Sequence, residues 1–347
     1  MISVVIPTFR RQSRLRDLLS SLERQVCNVP FEVIVVANLP EVGLKKVVES
    51  YGSQFRFHET GRIGVNIARN KGRERARGRV ILFLDDDTYV TGRDFLQKHF
   101  NEHERHPEAV AIGGTYSPKA SLTGIESAYH WILHHEASMA KVERDEARTL
   151  LAGNVSFKAD GLEARHRFDD RVLFGASEQS LFQKLRREQN LFLSLDSLAI
   201  EHRISVNIFD IARRAFFQGY GRGLITESAD ATLDRPHWNS TLPFEETLRL
   251  SHVDQTRMFR FAVRVYRRFA SFGLKLGRAD AAVFAASATS KKIIYRRPEF
   301  TPLKMLAAFF GGRWRTRALV AIQQQMTAFD GAVVAGSVAG SAAGSKN

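Results

Sequence analysis

Two rhythms of hydrophobic residues alternate along the first hundred positions. Ser3–Ile6, Phe31–Val36 and Val80–Leu84 are short, essentially apolar runs, which predicts strands buried on both faces. Between them, Arg10–Gln25 (Leu15, Leu18, Leu19, Leu22), Leu44–Tyr51 and Gly64–Arg77 carry helical spacing, and Gly78 marks the stop of the last. Phe55–Phe57 predicts one further short strand. Strands alternating with helices imply a mainly parallel sheet with crossover helices. After Asp94 the pattern mixes. Helices are expected over 95–106, 125–140 and 179–188, and strands over 110–114, 150–157 and 192–200.

Beyond residue 203 the apolar residues keep helical spacing but the polar face turns basic. Two amphipathic helices are expected, over 204–222 and 254–276. In the second, Met258, Phe261, Val265, Phe269 and Phe272 form a stripe flanked by Arg257, Arg260, Arg264, Arg267, Arg268 and Lys275. Gly219, Gly221 and Gly223 lack a preceding strand, so they read as a flexible helix stop and not as a dinucleotide fingerprint. From Gly331 the chain is Gly/Ala/Ser/Val-rich and predicts disorder.

Charge sharpens this division. The chain has 347 residues and a net charge of +14, yet residues 1–202 hold 29 Lys+Arg against 27 Asp+Glu, whereas 203–325 hold 21 against 9. A basic C-terminal part points to an anionic surface, lipid or nucleic acid. Cys27 is the single cysteine, which excludes a disulfide framework and suggests a reducing compartment. The opening Met1–Pro7 reads as a strand, not a secretory signal, and no apolar run reaches the length of a membrane span.

Asp85, Asp86 and Asp87 follow the run 80–84 directly. Carboxylates at the carboxyl end of a buried strand lie at the mouth of an open sheet, where such folds bind ligands. Three adjacent like charges call for a cation. In an extended chain Asp85 and Asp87 would face one way and Asp86 the other. Such a pair suits a hard divalent ion, Mg2+ or Mn2+, carried by a phosphorylated substrate; the alternative is a solvated acidic turn.

Four segments in series resemble one family. They are Val4-Val5-Ile6-Pro7-Thr8-Phe9-Arg10, the stretch Gly61–Gly72 with Ala68-Arg69-Asn70, Phe83-Leu84-Asp85-Asp86-Asp87, and Phe174–Phe182 with Glu178-Gln179. Together they resemble family 2 glycosyltransferases of bacterial type, over roughly residues 1–205. The resemblance implies a GT-A fold: a mixed, mainly parallel sheet flanked by helices, with a basic helical C-terminal appendage. It implies residues 1–205 as the catalytic domain, with 1–100 as the nucleotide-sugar half and 101–205 as the acceptor half. Residues 206–330 would then be the basic amphipathic region and 331–347 a disordered tail.

The resemblance also implies roles. Pro7, Thr8 and Phe9 lie where the family contacts the base, and Asp85 and Asp86 belong to its D-x-D motif. Asp87 is the first choice for the metal, with Asp85 for metal or ribose. Arg69 would neutralise phosphate, hold Asp85, or form a structural ion pair. His202 is either a further metal ligand or a locally bonded strand-end histidine. Ala37 stands where the family usually has a base-binding aspartate, leaving Asn38 as a substitute. Gln179 stands where the family commonly has its catalytic aspartate, leaving Glu178 as the candidate base or a simple helix-start carboxylate. Asn154 is a candidate for a sugar hydroxyl or a turn amide.

The implied activity is inverting transfer of a sugar from a nucleotide-diphosphate donor to a saccharide or lipid-linked hydroxyl, at the cytoplasmic face of a membrane, with peripheral attachment. Two other readings compete: a nucleotidyltransferase, which lacks its usual Gly-rich loop here, and a non-catalytic module binding nucleic acid or another anionic surface. The helical spacing of the C-terminal aromatics favours packing or lipid over nucleic acid.

Overall fold

The structure, a computed structural model, describes residues 1–39, 41–119, 121–172, 175–226 and 257–286. The sequence expectations for 227–256 and 287–330, and for the tail from Gly331, fall outside these residues.

A seven-stranded sheet carries the molecule. β1 (Ile2–Thr8), β2 (Phe31–Asn38), β3 (Phe55–Thr60) and β4 (Val80–Leu84) are parallel, in the order β3-β2-β1-β4. β8 (Asn154–Lys158) then joins β4 antiparallel, β6 (Ala109–Gly113) joins β8 antiparallel, and β9 (Leu191–Ser194) lies parallel to β6. All seven residues of β1 are buried because both sheet faces are covered. Val4, Ile6, Val33, Val35, Leu82 and Leu84 pack with α1 (Gln12–Glu23), α2 (Leu44–Glu49) and α4 (Phe95–Arg105). Val5, Ile81, Phe83 and Phe157 share the opposite layer with α6 (Gln179–Arg187), and Ile34 and Val36 meet Ala68 of α3 (Val65–Arg75). That double coverage is why the strands read as unbroken apolar runs.

The stretch 192–200 is not one strand. β9 ends at Ser194, a 3-10 turn occupies Asp196–Leu198, and β10 (Ile200–His202) leaves for a second sheet. There it pairs antiparallel with β5 (Thr88–Tyr89) and parallel with β7 (Tyr116–Pro118). The first residues of the strand expected at 150–157 are a turn, closed by Asn154 N–H donating to Leu151 O at 2.9 Å.

Three more helices complete the described residues: α5 (Gly124–Ala140), α7 (Ile208–Thr226) and α8 (Arg257–Ala286). Gly219, Gly221 and Gly223 lie inside α7, not at a flexible stop. A Cβ on Gly219 would fall 1.9 Å from Ala270 O, and one on Gly273 2.1 Å from Phe216 O. The missing side chains let the α7 and α8 backbones touch. α8 is therefore seated on the body of the protein: Phe259, Ala262, Val263, Tyr266 and Phe269 are buried, and the Phe259 ring meets Trp131 of α5. Tyr266 Oη donates to Glu136 Oε1 at 2.7 Å, and Arg222 Nη2 donates to Glu136 Oε2 at 3.1 Å. The buried stripe is rotated from the expected one, since Met258 and Phe261 are exposed. α7 and α8 belong to the same compact unit as the sheet, Met1–Ala285, so these contacts cross the boundary expected near 205.

Candidate active site

The acidic triplet sits where β4 ends, but not in extended chain. Thr88 N–H and Thr88 Oγ1 both donate to Asp85 O, at 3.2 and 2.7 Å, closing a tight turn. A turn rotates successive side chains instead of alternating them, so the expected pairing of Asp85 with Asp87 does not occur. Asp86 and Asp87 share one partner and Asp85 faces another.

The shared partner is Arg11, just before α1. Its Nη1 lies 3.0 Å from Asp86 Oδ1 and 3.0 Å from Asp87 Oδ2, and Arg14 Nη1 lies 3.8 Å from Asp87. The cation demanded by adjacent carboxylates is supplied by the chain itself. Burial works against charge on Arg11, but Asp86 and Asp87 hold it firmly protonated. Asp86 accepts a second bond, from Thr8 Oγ1 at 2.7 Å, which ties the ends of β1 and β4 together. Its burial pushes its carboxyl up, against Arg11. Asp86 is 5% exposed, and both its oxygens are engaged, one by Thr8 and the other by Arg11. Burial alone would also raise Asp87, but the His202 ring and Arg11 hold it far below the ordinary carboxylate range.

Asp85 is turned toward Arg69 and is the most accessible of the three, with a side chain 32% exposed. Arg69 Nη2 donates to Asp85 Oδ1 at 2.8 Å, and Arg69 Nη1 donates to Ser177 Oγ at 2.7 Å. Ser177 Oγ donates to Glu178 Oε2 at 3.1 Å. A continuous chain, Asp85–Arg69–Ser177–Glu178, thus joins the acidic turn to the candidate base. Tyr116 Oη donates to Asp85 Oδ2 at 3.2 Å. Gly153 makes room here: a Cβ would fall 2.3 Å from Asp85 Oδ2 and 2.1 Å from Tyr116 Oη.

The second family-like segment explains how Arg69 is held. Asn66, Arg69 and Asn70 occupy one face of α3, as three- and four-residue spacing requires. Asn66 Nδ2 donates to Asp169 O and to Ser177 O, each at 2.8 Å, and Asn70 Nδ2 donates to Phe168 O at 2.8 Å. The face laces the loop that carries Ser177 and Glu178 to the sheet edge. Glu178 is the N-cap of α6 without capping through its side chain. Burial pushes its carboxyl up although Arg69 and Ser177 oppose it, so desolvation outweighs the helix-dipole effect expected from its position. Backbone strain marks the same rim: Arg10 (φ 51), Leu39 (φ 55) and Ala176 (φ 48) are non-glycine residues in the left-handed region, after β1, after β2 and before Glu178.

His202 comes to the triplet through β10, paired with Thr88 in register. Its Nε2 lies 3.4 Å from Asp87 Oδ1, Tyr116 stacks on its ring at 4.5 Å, and its Nδ1 is buried without a hydrogen-bond partner. Among the described residues no three His, Cys, Asp or Glu side chains converge as a preassembled metal cage. Asp85 stands apart with Arg69, so the expected trio of Asp85, Asp87 and His202 is split. Asp87 Oδ1 and His202 Nε2 still form an oxygen–nitrogen pair, a donor set that suits a divalent ion whose remaining ligands come from phosphate and water.

The other expected residues lie at the ends of β1 and β2. Pro7 is buried within β1, opposite Val36, so only Thr8 and the half-buried Phe9 reach the rim. Asn38 is 3% exposed, and its Oδ1 accepts from Thr60 Oγ1 and from Gly64 N–H, each at 3.1 Å. Its oxygen thus fixes the loop before α3. Asn154 is fully buried and donates from Nδ2 to Leu198 O at 2.8 Å, while its Oδ1 is buried without a partner among the described residues.

Sequence reasoning missed Arg11, Arg14, Tyr116, Ser177 and Arg214. Arg214 of α7 stacks near Tyr129 (5.5 Å), and its Nε is buried without a partner. Burial opposes its charge, while Tyr129 and Asp87 favour it. Arg11 and Arg14 could have been found from their three-residue spacing in the first turn after a strand end.

Residues 3–174 match the family model described as glycosyl transferase family 2. Residues 3–174 form a glycosyl transferase family 2 domain. An uncharacterized glycosyltransferase of Bacillus subtilis, YfnE, is 36% identical over 116 residues, covering 32% of this chain and 29% of the relative. The glucosyl-dolichyl phosphate glucuronosyltransferase of Haloferax volcanii is 26% identical over 168 residues, 46% of this chain and 53% of the relative. The chain thus spans about half or less of the length of these curated relatives. Among solved structures, the mannosyltransferase PcManGT of Pyrobaculum calidifontis, in complex with GDP-Man and Mn2+, superposes with a TM-score of 0.50 at 16% identity, over 93% of this chain and 86% of that one. The family 2 domain has the GT-A fold.

Proposed function

We propose that this protein is an inverting glycosyltransferase. It moves a glycosyl group from a nucleotide-diphosphate donor to a hydroxyl of a saccharide or lipid-linked acceptor. The observation that carries this reading is the chain Asp85–Arg69–Ser177–Glu178, which connects a phosphate-side acidic turn to a base with a raised pKa. A lipid-linked acceptor is favoured by the similarity to an enzyme named for a dolichyl phosphate substrate.

The roles follow from position. Thr8 and Phe9 line the rim where the nucleotide lies. Asp85, accessible and oriented by Arg69 and Tyr116, contacts the donor. Asp87 and His202 are the residues that would hold Mg2+ or Mn2+, and such an ion, when bound, supplies positive charge to the departing diphosphate. Arg11, Arg14 and Arg214 add fixed positive charge beside it. Glu178 takes the proton of the acceptor hydroxyl as that oxygen attacks the anomeric carbon from the face opposite the leaving group. Its raised pKa brings it nearer the working pH, where a general base is most effective.

The test is a screen of nucleotide-sugars for hydrolysis and transfer with Mn2+ or Mg2+, comparing parent, Asp87→Ala and Glu178→Gln. Asp87→Ala is expected to lose metal-dependent donor binding by calorimetry. Glu178→Gln is expected to keep donor binding and lose transfer by about a hundred-fold or more. Transfer by Glu178→Gln at the parental rate would overturn the assignment of the base.

A further inference from the structure

We infer that α8 is a docking helix for an anionic lipid surface, working through its outer face. The contacts of its inner face fix its rotation. Phe259, Ala262, Val263, Tyr266 and Phe269 are buried, and the glycine contacts with α7 hold the backbone in place. The side pointing away is then constant.

That outer side is cationic along its whole described length. Arg257, Arg260, Arg264, Arg267, Arg268, Lys275 and Arg278 are all exposed, and there is no Asp or Glu from residue 257 to residue 278. At 100° per residue these seven fall within one stripe about a third of the helix circumference wide and about 30 Å long. Helix surfaces that merely face water mix both signs, because like charges along one face repel. A one-sign stripe on a helix already packed by its other face is complementary to an extended array of negative charge.

Phe261 (45% exposed) identifies that array. Helical geometry puts Phe261 directly beside the basic stripe. Apolar side chains edging a basic face suit the headgroup boundary of a bilayer, where cations meet lipid phosphate and short apolar groups enter the interface. A nucleic acid is the poorer match. Phe259, Tyr266 and Phe269 face inward, leaving no row of rings on which bases could stack. No described helix is long and apolar enough to cross a membrane, so attachment through α8 would be at the surface. The docking uses none of the residues assigned to transfer.

The experiment uses the full chain and vesicles of phosphatidylcholine with 30% phosphatidylglycerol, against pure phosphatidylcholine, by co-sedimentation at low and high salt. The parent is expected to bind the anionic vesicles only, and to release them at high salt. Each exposed cation near such a surface is worth about five-fold in partitioning, so Arg260→Gln/Arg264→Gln/Lys275→Gln together should weaken binding about a hundred-fold. Phe261→Ser should weaken it further without changing the salt dependence. Unaltered circular dichroism and melting of the variants separate this from misfolding. Three results would overturn the inference: a parent that ignores anionic vesicles, a triple variant that binds as the parent does, or a parent that binds a single-stranded oligonucleotide but not the vesicles.

Discussion

Acid should weaken this protein through a buried histidine pair, and the size of the effect can be worked out. His99 and His103, one turn apart on α4, both point at Ser156 of β8. His99 Nδ1 and His103 Nε2 each lie 2.9 Å from Ser156 Oγ. Ser156 spends its own proton on Ile112 O, at 3.0 Å, so both rings must donate to it. The far nitrogens, His99 Nε2 and His103 Nδ1, are buried without partners among the described residues. Burial pushes His99 down to about 3, aided by His103 and opposed by Asn154, and pushes His103 down to about 4. Both rings are neutral in the fold, whereas free histidine titrates near 6.5. For a depressed histidine, stability is full above the unfolded pKa and falls as pH drops below it, because only the unfolded chain then takes up protons. At pH 5 the cost is about 2 kcal/mol per ring, or about 4 kcal/mol for the pair. That is a large share of the 5–15 kcal/mol typical of a domain. Urea unfolding at pH 7.5 and pH 5.0, for the parent and His103→Gln, isolates the term. Glutamine keeps a donor for Ser156 but does not titrate, so the variant should lose about 2 kcal/mol less than the parent between the two pH values. Equal losses in the two proteins would refute the argument.

Two further substitutions test the packing and the charge arrangement. Gly219→Ala gains about 1 kcal/mol of helix propensity but drives a methyl into the Ala270 carbonyl, an overpacking cost of about 1–3 kcal/mol that backbone cannot relieve by changing rotamer. We expect a lower Tm; a Tm at or above the parental value would show that the helices separate freely. Arg11→Met leaves the buried Asp86 and Asp87 without their bridging cation, at a cost of about 3–5 kcal/mol. Added Mn2+ should raise the Tm of this variant more than that of the parent, and an equal response would show that the two carboxylates do not accept a replacement cation.

Arg11 also shows where sequence reading stops. The triplet at 85–87 was legible because consecutive carboxylates at the end of an unbroken apolar run are costly unless something positive meets them. The sheet, the crossover helices and the run of family-like segments were legible for the same kind of reason: each is a local pattern with a period. The identity of the counter-ion was not, because Arg11 lies 75 residues upstream in a segment that reads as an ordinary basic helix start. The turn at Asp85–Thr88 was hidden too, since its closing bonds come from a threonine that equally well begins a strand. β5 and β7 are too short to show any period, yet with β10 they decide which way His202 and Tyr116 face. α7 and α8 were expected as helices, but how they pack was not legible. Glycines at 219, 223, 273 and 277 signal breakage when each is read singly, and only the facing helix turns them into close packing. The amphipathic stripe of α8 left open whether apolar or basic residues would meet a partner. Once the protein itself covers Phe259, Tyr266 and Phe269, Arg257, Arg260 and Arg264 remain exposed on the outer face. The general point is physical: sequence periodicity reports which face of an element is buried, while the identity of what covers it depends on contacts between residues far apart in the chain.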